Sequence, residues 1–123
     1  MKKKILVVDD DKAICNMLHY IIQQIGYEVI TVYSGTEALE AIETQKPDLI
    51  LLDLHLPHMS GIETLKKIKK IDRKSKVIIM TAYNDESEKI VKTFSLGAID
   101  CIFKPFNIEI LKDRIRETLG LAE

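Results

Sequence analysis

Three short stretches of this chain, residues 5–8, 49–52 and 77–80, are almost wholly aliphatic, and between them lie longer segments with apolar residues at helical spacing. A strand with one wet face alternates apolar and polar residues. A strand that is apolar throughout must be covered on both faces, which in practice means a parallel sheet with helices on either side. The intervening segments supply those helices. Ile14, Met17, Leu18, Ile21, Ile22 and Ile25 recur every three or four residues, as do Ile62, Leu65 and Ile68, then Ile90, Val91 and Phe94, then Leu111, Ile115 and Leu119. Adding the weaker runs at 28–32 and 101–103 gives a βα alternation of five strands and five helices. The pattern predicts an α/β fold, a doubly wound parallel sheet whose first, third and fourth strands are central.

Local signals agree with that division. Ser34, Ser60, Asp85 and Asn107 stand where helix N-caps are needed, and Gly26, Gly97 and Gly120 where helices stop. With 123 residues and no linker or repeat, residues 1–123 read as one domain. Eighteen basic and nineteen acidic side chains leave a formal charge of −1, without the basic excess of a nucleic-acid binder. The apolar run after Lys2-Lys3-Lys4 is too short for an export signal, and no run approaches the roughly 20 residues that span a bilayer, so no membrane partner is expected. Cys15 and Cys101 show no metal-ligand spacing and read as reduced thiols of a cytoplasmic protein.

The ends of the apolar runs carry the chemistry. Asp9, Asp10 and Asp11 close the first, Asp53 the third, Thr81 the fourth and Lys104 the fifth. In a doubly wound sheet these carboxyl ends form the edge outside which ligands bind. Two carboxylates about 4 Å apart repel by roughly 4 kcal/mol at an effective dielectric near 20, so positive charge is required among them. Oxygen ligands of this kind suit Mg²⁺, and Lys104 adds an ammonium. Each residue alone has a plainer explanation. Acids before a helix favour its dipole, Asp53 could initiate a turn, Thr81 could be an ordinary strand-end threonine and Lys104 a solvated one. Their joint placement, each directly after an apolar strand, favours a site. His19, His55 and His58 read as surface residues.

Four segments then carry a resemblance: residues 5–11 (Ile-Leu-Val-Val-Asp-Asp-Asp), 52–61 (Leu-Asp-Leu-His-Leu-Pro-His-Met-Ser-Gly), 77–82 (Val-Ile-Ile-Met-Thr-Ala) and 103–106 (Phe-Lys-Pro-Phe). In this order and spacing the chain resembles the CheY-like receiver domains of bacterial two-component response regulators. It most resembles the stand-alone members, such as the single-domain intermediate of the sporulation phosphorelay. The resemblance implies a flavodoxin-like sheet of order 2-1-3-4-5. It also implies that Asp53 accepts a phosphoryl group from a phosphohistidine. Asp10, Asp53 and the backbone carbonyl of His55 would hold Mg²⁺, with Asp9 reaching it through water. Thr81 and the Ala82 amide would bind phosphoryl oxygens, and Lys104, ahead of a cis Pro105, would pair with the phosphate. The implied partners are a histidine kinase and a histidine phosphotransferase, met by a monomer that assists its own phosphorylation and dephosphorylation without being an enzyme.

Three features extend or depart from that pattern. Many receivers carry an aromatic ring three residues before the lysine; Cys101 stands there instead, too small for a rotating switch, which predicts a more local response. Tyr83, two residues beyond Thr81, has the bulk to hinder a hydrolytic water. Helix one is apolar beyond a narrow stripe, so Ile14 and Met17, with Pro105 and Phe106, could dock a helical partner. Rival readings are a haloacid-dehalogenase-like phosphatase, suggested by Asp9-x-Asp11, a pseudo-receiver that is never phosphorylated, and a flavodoxin-like flavin binder. The position of Asp53 on strand three opposes the first, the complete acidic set the second, and the lack of a Gly/Ser/Thr-rich loop after strand one the third.

Overall fold

The computed structural model describes residues 2–82 and 87–120. The elements are β1 (Lys4–Val8), α1 (Lys12–Gln24), β2 (Glu28–Val32), α2 (Gly35–Gln45), β3 (Leu49–Asp53), α3 (Gly61–Ile71), β4 (Val77–Ala82), α4 (Ser87–Ser95), β5 (Asp100–Lys104) and α5 (Ile108–Leu119). All strand pairings are parallel and the order is β2-β1-β3-β4-β5, with the three aliphatic strands at the centre as expected.

Alternation along each central strand divides the core in two. Ile5, Val7, Leu49, Leu51, Ile78 and Met80 pack with residues of α1 and α5 such as Leu18, Ile22 and Leu111. Leu6, Val8, Ile50, Leu52, Val77 and Ile79 face the other way, against Ala38, Leu65 and Ile68. Each fully buried side chain of this size contributes about 1.5–3 kcal/mol, so the aliphatic strands that set the topology also supply much of its stability. Val29 to Val32 on edge strand β2 are only half-buried, consistent with their weaker signal.

The predicted caps at Ser34, Ser60 and Asn107 each accept a backbone N–H from the first helical turn. Asp85, predicted as the cap of α4, and Tyr83 lie outside the described residues. Helix α1 is capped by Asp11, whose carboxylate accepts from the amides of Ala13 and Ile14. Helix α2 ends without glycine, on Lys46 in the left-handed conformation (φ 49°).

The strands run further than the apolar runs that revealed them. Asp53 pairs with Met80, Thr81 with Phe103 and Ala82 with Lys104, so Asp53 and Lys104 are the last residues of β3 and β5 and Thr81 the last but one of β4, and none follows its strand in a loop. Ladder hydrogen bonds depend on the backbone and not on side-chain polarity, so an apolar pattern ends one or two residues before the strand does. The consequence is positional: these side chains are held by the sheet itself.

Candidate functional site

Asp9 sits one residue past β1, its amide still bonded to the Val32 carbonyl at 3.2 Å. Its side chain is fully buried and Asp53 is 5% exposed. Between them stands Lys104, whose Nζ lies 2.6 Å from Asp9 Oδ2 and 3.2 Å from Asp53 Oδ2. The remaining carboxylate oxygens are met by local backbone: Asp9 Oδ1 accepts from the Asp11 amide (2.9 Å) and Asp53 Oδ1 from the His55 amide (3.1 Å). Asp10 is exposed, and one oxygen from each of Asp9, Asp10 and Asp53 falls within a 4.8 Å group. Thr81 is fully buried at the end of β4. The Lys104–Pro105 bond is cis.

The electrostatics follow from this geometry. Burial, then the neighbouring Asp9 charge, lifts Asp53 from 3.8 to about 6, opposed by the Lys104 charge and the His55 amide. For Lys104 burial alone would favour the neutral amine, but the hydrogen bond to Asp9 and the charges of Asp53 and Asp9 outweigh it and hold its pKa above the ordinary lysine value. Lys104 is therefore a fixed cation at neutral pH. Ionised, the three carboxylates carry −3 against its +1, leaving the group at −2. Oxygen donors at this spacing with uncompensated negative charge fit a hard divalent cation, of which Mg²⁺ is the type that uses one or two carboxylates and keeps its waters.

The plainer readings are partly true in detail. Asp11 does cap α1, and Asp53 does accept an amide two residues on as a turn-forming Asp would. His55 and His58 are exposed, while His19 is half-buried. Cys15 and Cys101 are not joined by a disulfide. Cys15 is buried against the site, its thiol 3.2 Å from the Asp9 carbonyl, and burial and the nearby acids raise its pKa to about 11.

Gly61 closes the matching segment 52–61, where it carried no stated role, and the structure gives it one. A Cβ there would lie 2.4 Å from the Asp53 carbonyl oxygen and 2.6 Å from Leu54 Cα, so only glycine lets α3 start against the end of β3. Its amide bonds the Leu54 carbonyl at 3.0 Å, clamping the backbone that carries Asp53. The signal available was Ser60-Gly61 at a helix start, a place where glycine is not required by conformation. Beside the acids, Ile14, Met17, Pro105 and Phe106 line one cavity of about 220 Å³ with Lys104 and Ile108, so the predicted docking residues do converge.

Comparison with known proteins decides the family. The profile described as the response regulator receiver domain matches residues 5–116. The chain belongs to the response regulator receiver family. Among curated receiver-containing relatives, sporulation initiation phosphotransferase F of Bacillus subtilis (strain 168) is 40% identical over 121 residues, 98% of this chain and 97% of that protein. The alkaline phosphatase synthesis transcriptional regulatory protein PhoP of the same organism is 41% identical over 123 residues, but the chain spans only 51% of its length. A crystal structure of a CheY-like receiver domain protein from Methanospirillum hungatei JF-1 superimposes with a TM-score of 0.92 at 38% identity, covering 97% of this chain and 94% of that one. The chain is thus a receiver domain of the two-component response regulators, on the fold and strand order that its sequence implied.

Proposed function

We propose that residues 1–123 form one receiver domain in which Asp53 is the phosphoacceptor. The observation that supports this best is the Lys104 ammonium shared between a buried Asp9 and a buried Asp53 at the carboxyl edge of the sheet. An Asp53 carboxylate oxygen attacks the phosphorus of a partner's phosphohistidine. The phosphorus–nitrogen bond breaks, its electron pair stays on the imidazole, and Asp53 becomes an aspartyl phosphate.

Such transfer needs positioning and charge neutralisation more than covalent help. Asp10, Asp53 and the His55 carbonyl would hold Mg²⁺, Asp9 would reach it through water, and the bound ion supplies positive charge toward the anionic phosphoryl group. Lys104 supplies a second positive charge, pairing with a phosphoryl oxygen in exchange for Asp53. Thr81 donates its hydroxyl and Ala82 its amide to the others. On this reading the chain is not a turnover enzyme but a substrate that assists its own phosphorylation and dephosphorylation.

The partners we propose are a histidine kinase and a histidine phosphotransferase, met by a monomer in the cytoplasm; no nucleic-acid partner is proposed. The cavity formed by Ile14, Met17, Pro105 and Phe106 adjoins Lys104, and Met17 is 38% exposed, which supports apolar docking of a helical partner beside the acceptor. Similarity to the sporulation phosphotransferase favours a relay role. Incubation with acetyl phosphate and Mg²⁺, followed by intact mass, should add one acid-labile phosphate to the native chain and none to Asp53→Asn; a chain that never labels is a pseudo-receiver.

A further inference from the structure

The charge of this receiver is segregated along the strand axis. Across residues 66–76 seven of eleven positions are Lys or Arg and only Asp72 is acidic, in a chain whose net charge is −1. That segment ends α3 and enters β4, placing its carboxyl-terminal part at the amino edge of the sheet, opposite the acids. The starts of β1 and β3 lie on the same edge: the Asp48 amide bonds the Lys4 carbonyl at 2.8 Å and the Ile50 amide bonds the Lys76 carbonyl at 2.9 Å. Lys46, closing α2, lines a groove of about 510 Å³ together with Ile71 and Asp72 from the end of α3. Three separate pieces of chain therefore bring Lys2, Lys3, Lys46, Lys70, Arg73 and Lys74 to one end, all exposed. None of these side chains is ion-paired to another described residue.

The acids at that end are fewer than the cations: Glu28 and Glu43 are exposed there, and two others are taken up by the backbone. Asp48 accepts the Lys4 amide at 2.8 Å and Asp72 the Lys74 amide at 2.9 Å, which turns those carboxylates toward the loops. Ile71 stands among the cations 42% exposed. We propose that this amino-terminal edge is a peripheral docking face for an anionic lipid surface. The charges come from dispersed segments and form an end face, and the groove among them is itself lined by Glu43 and Asp72, which opposes an anionic peptide seated in it. They are mostly lysine, which acts as a point charge and not as a bidentate reader of particular groups. A plane of mobile phosphate headgroups satisfies such a layout, and an exposed isoleucine among lysines suits the boundary between headgroups and acyl chains.

The net charge of the whole chain does not oppose this. Strands of five residues at about 3.3 Å each separate the basic edge from the acidic one by roughly 16 Å, about two screening lengths at physiological salt. The basic face therefore feels the surface without the acids being repelled by it, and the acceptor edge is left facing away and accessible. The expectation of no membrane partner rested on the lack of a spanning or export segment, which does not bear on a basic end face.

Sedimentation with vesicles tests the proposal on the full chain. Binding is expected to phosphatidylcholine vesicles that contain phosphatidylserine and not to phosphatidylcholine alone, and to vanish at high salt. The triple variant Lys70→Gln, Arg73→Gln and Lys74→Gln should lower partitioning by roughly a hundredfold, about fivefold per charge removed. Ile71→Ser should lower it further, while phosphate labelling of the variants by acetyl phosphate stays at the native level and shows them folded. No sedimentation at low salt, equal sedimentation with neutral vesicles, or no change in the triple variant overturns the proposal. Retention on polyglutamate or duplex DNA without vesicle binding overturns it in favour of a soluble polyanion.

Discussion

At Asp53 the burial that prepares a carboxylate for chemistry also lifts its pKa from 3.8 to about 6, and stability must follow. A native pKa above the unfolded one means that the folded state holds the extra proton between about pH 4 and pH 6. Metal-free stability therefore falls as pH rises through that window, by up to about 3 kcal/mol for a two-unit shift. Asp53→Asn removes the charge while Lys104 keeps Asp9. In EDTA it should be more stable than the native chain at pH 7, the gain shrinking as the pH is lowered to 4 in urea titrations. Lys104→Met should do the reverse, leaving two buried acids without their cation at a loss of about 3 kcal/mol or more at pH 7, with recovery on adding Mg²⁺. Equal pH profiles for native and Asp53→Asn chains would show that Asp53 is not strained by its neighbours. Neither effect was legible in sequence beyond the presence of acids. Which carboxylate is buried, and which oxygen the lysine takes, depends on registry between strands more than forty residues apart.

Among the elements, β3 and α3 meet backbone against backbone at Gly61. Gly61→Ala places a methyl group 2.4 Å from the Asp53 carbonyl oxygen, and the displacement should lower stability by about 1–3 kcal/mol and phosphate labelling with it. Lys46→Gly at the left-handed end of α2 should raise the free energy of unfolding by about 0.5–1 kcal/mol, since glycine adopts that conformation without Cβ conflict. Thermal and urea unfolding check both. At β5 Cys101 is half-buried against the α2–α4 side of the core, with Phe103 further along the same face, opposite Thr81. A response without a swinging ring would confine amide shifts on phosphorylation to the neighbourhood of Asp53, Thr81 and Lys104. Inward rotation of Phe103 in the phosphorylated form would contradict it. Element identity was readable because aliphatic strands and helical spacing are long-range patterns. Strand ends were not, because Asp53, Thr81 and Lys104 keep their ladder bonds while breaking the apolar run.

At the scale of the whole molecule, parallel strands place all polar strand ends on one edge, which is why an ordered list of residues in the sequence became a site in space. The strand order and the converging set Asp9, Asp53 and Lys104 were both implied by the sequence. The packing of Gly61 and the segregation of lysines to the opposite edge were not, since they depend on which helix ends adjoin. The central claim is that the sheet gathers Asp9, Asp10 and Lys104 around Asp53 so that Asp53 alone takes up phosphorus with a divalent cation present. Intact mass after incubation with acetyl phosphate, with Mg²⁺ or with EDTA, tests it most directly. A single acid-labile phosphate is expected on the native chain, dependent on Mg²⁺, weakened in Asp10→Asn and absent in Asp53→Asn. The same labile adduct on Asp53→Asn, or undiminished labelling of the native chain in EDTA, would contradict it.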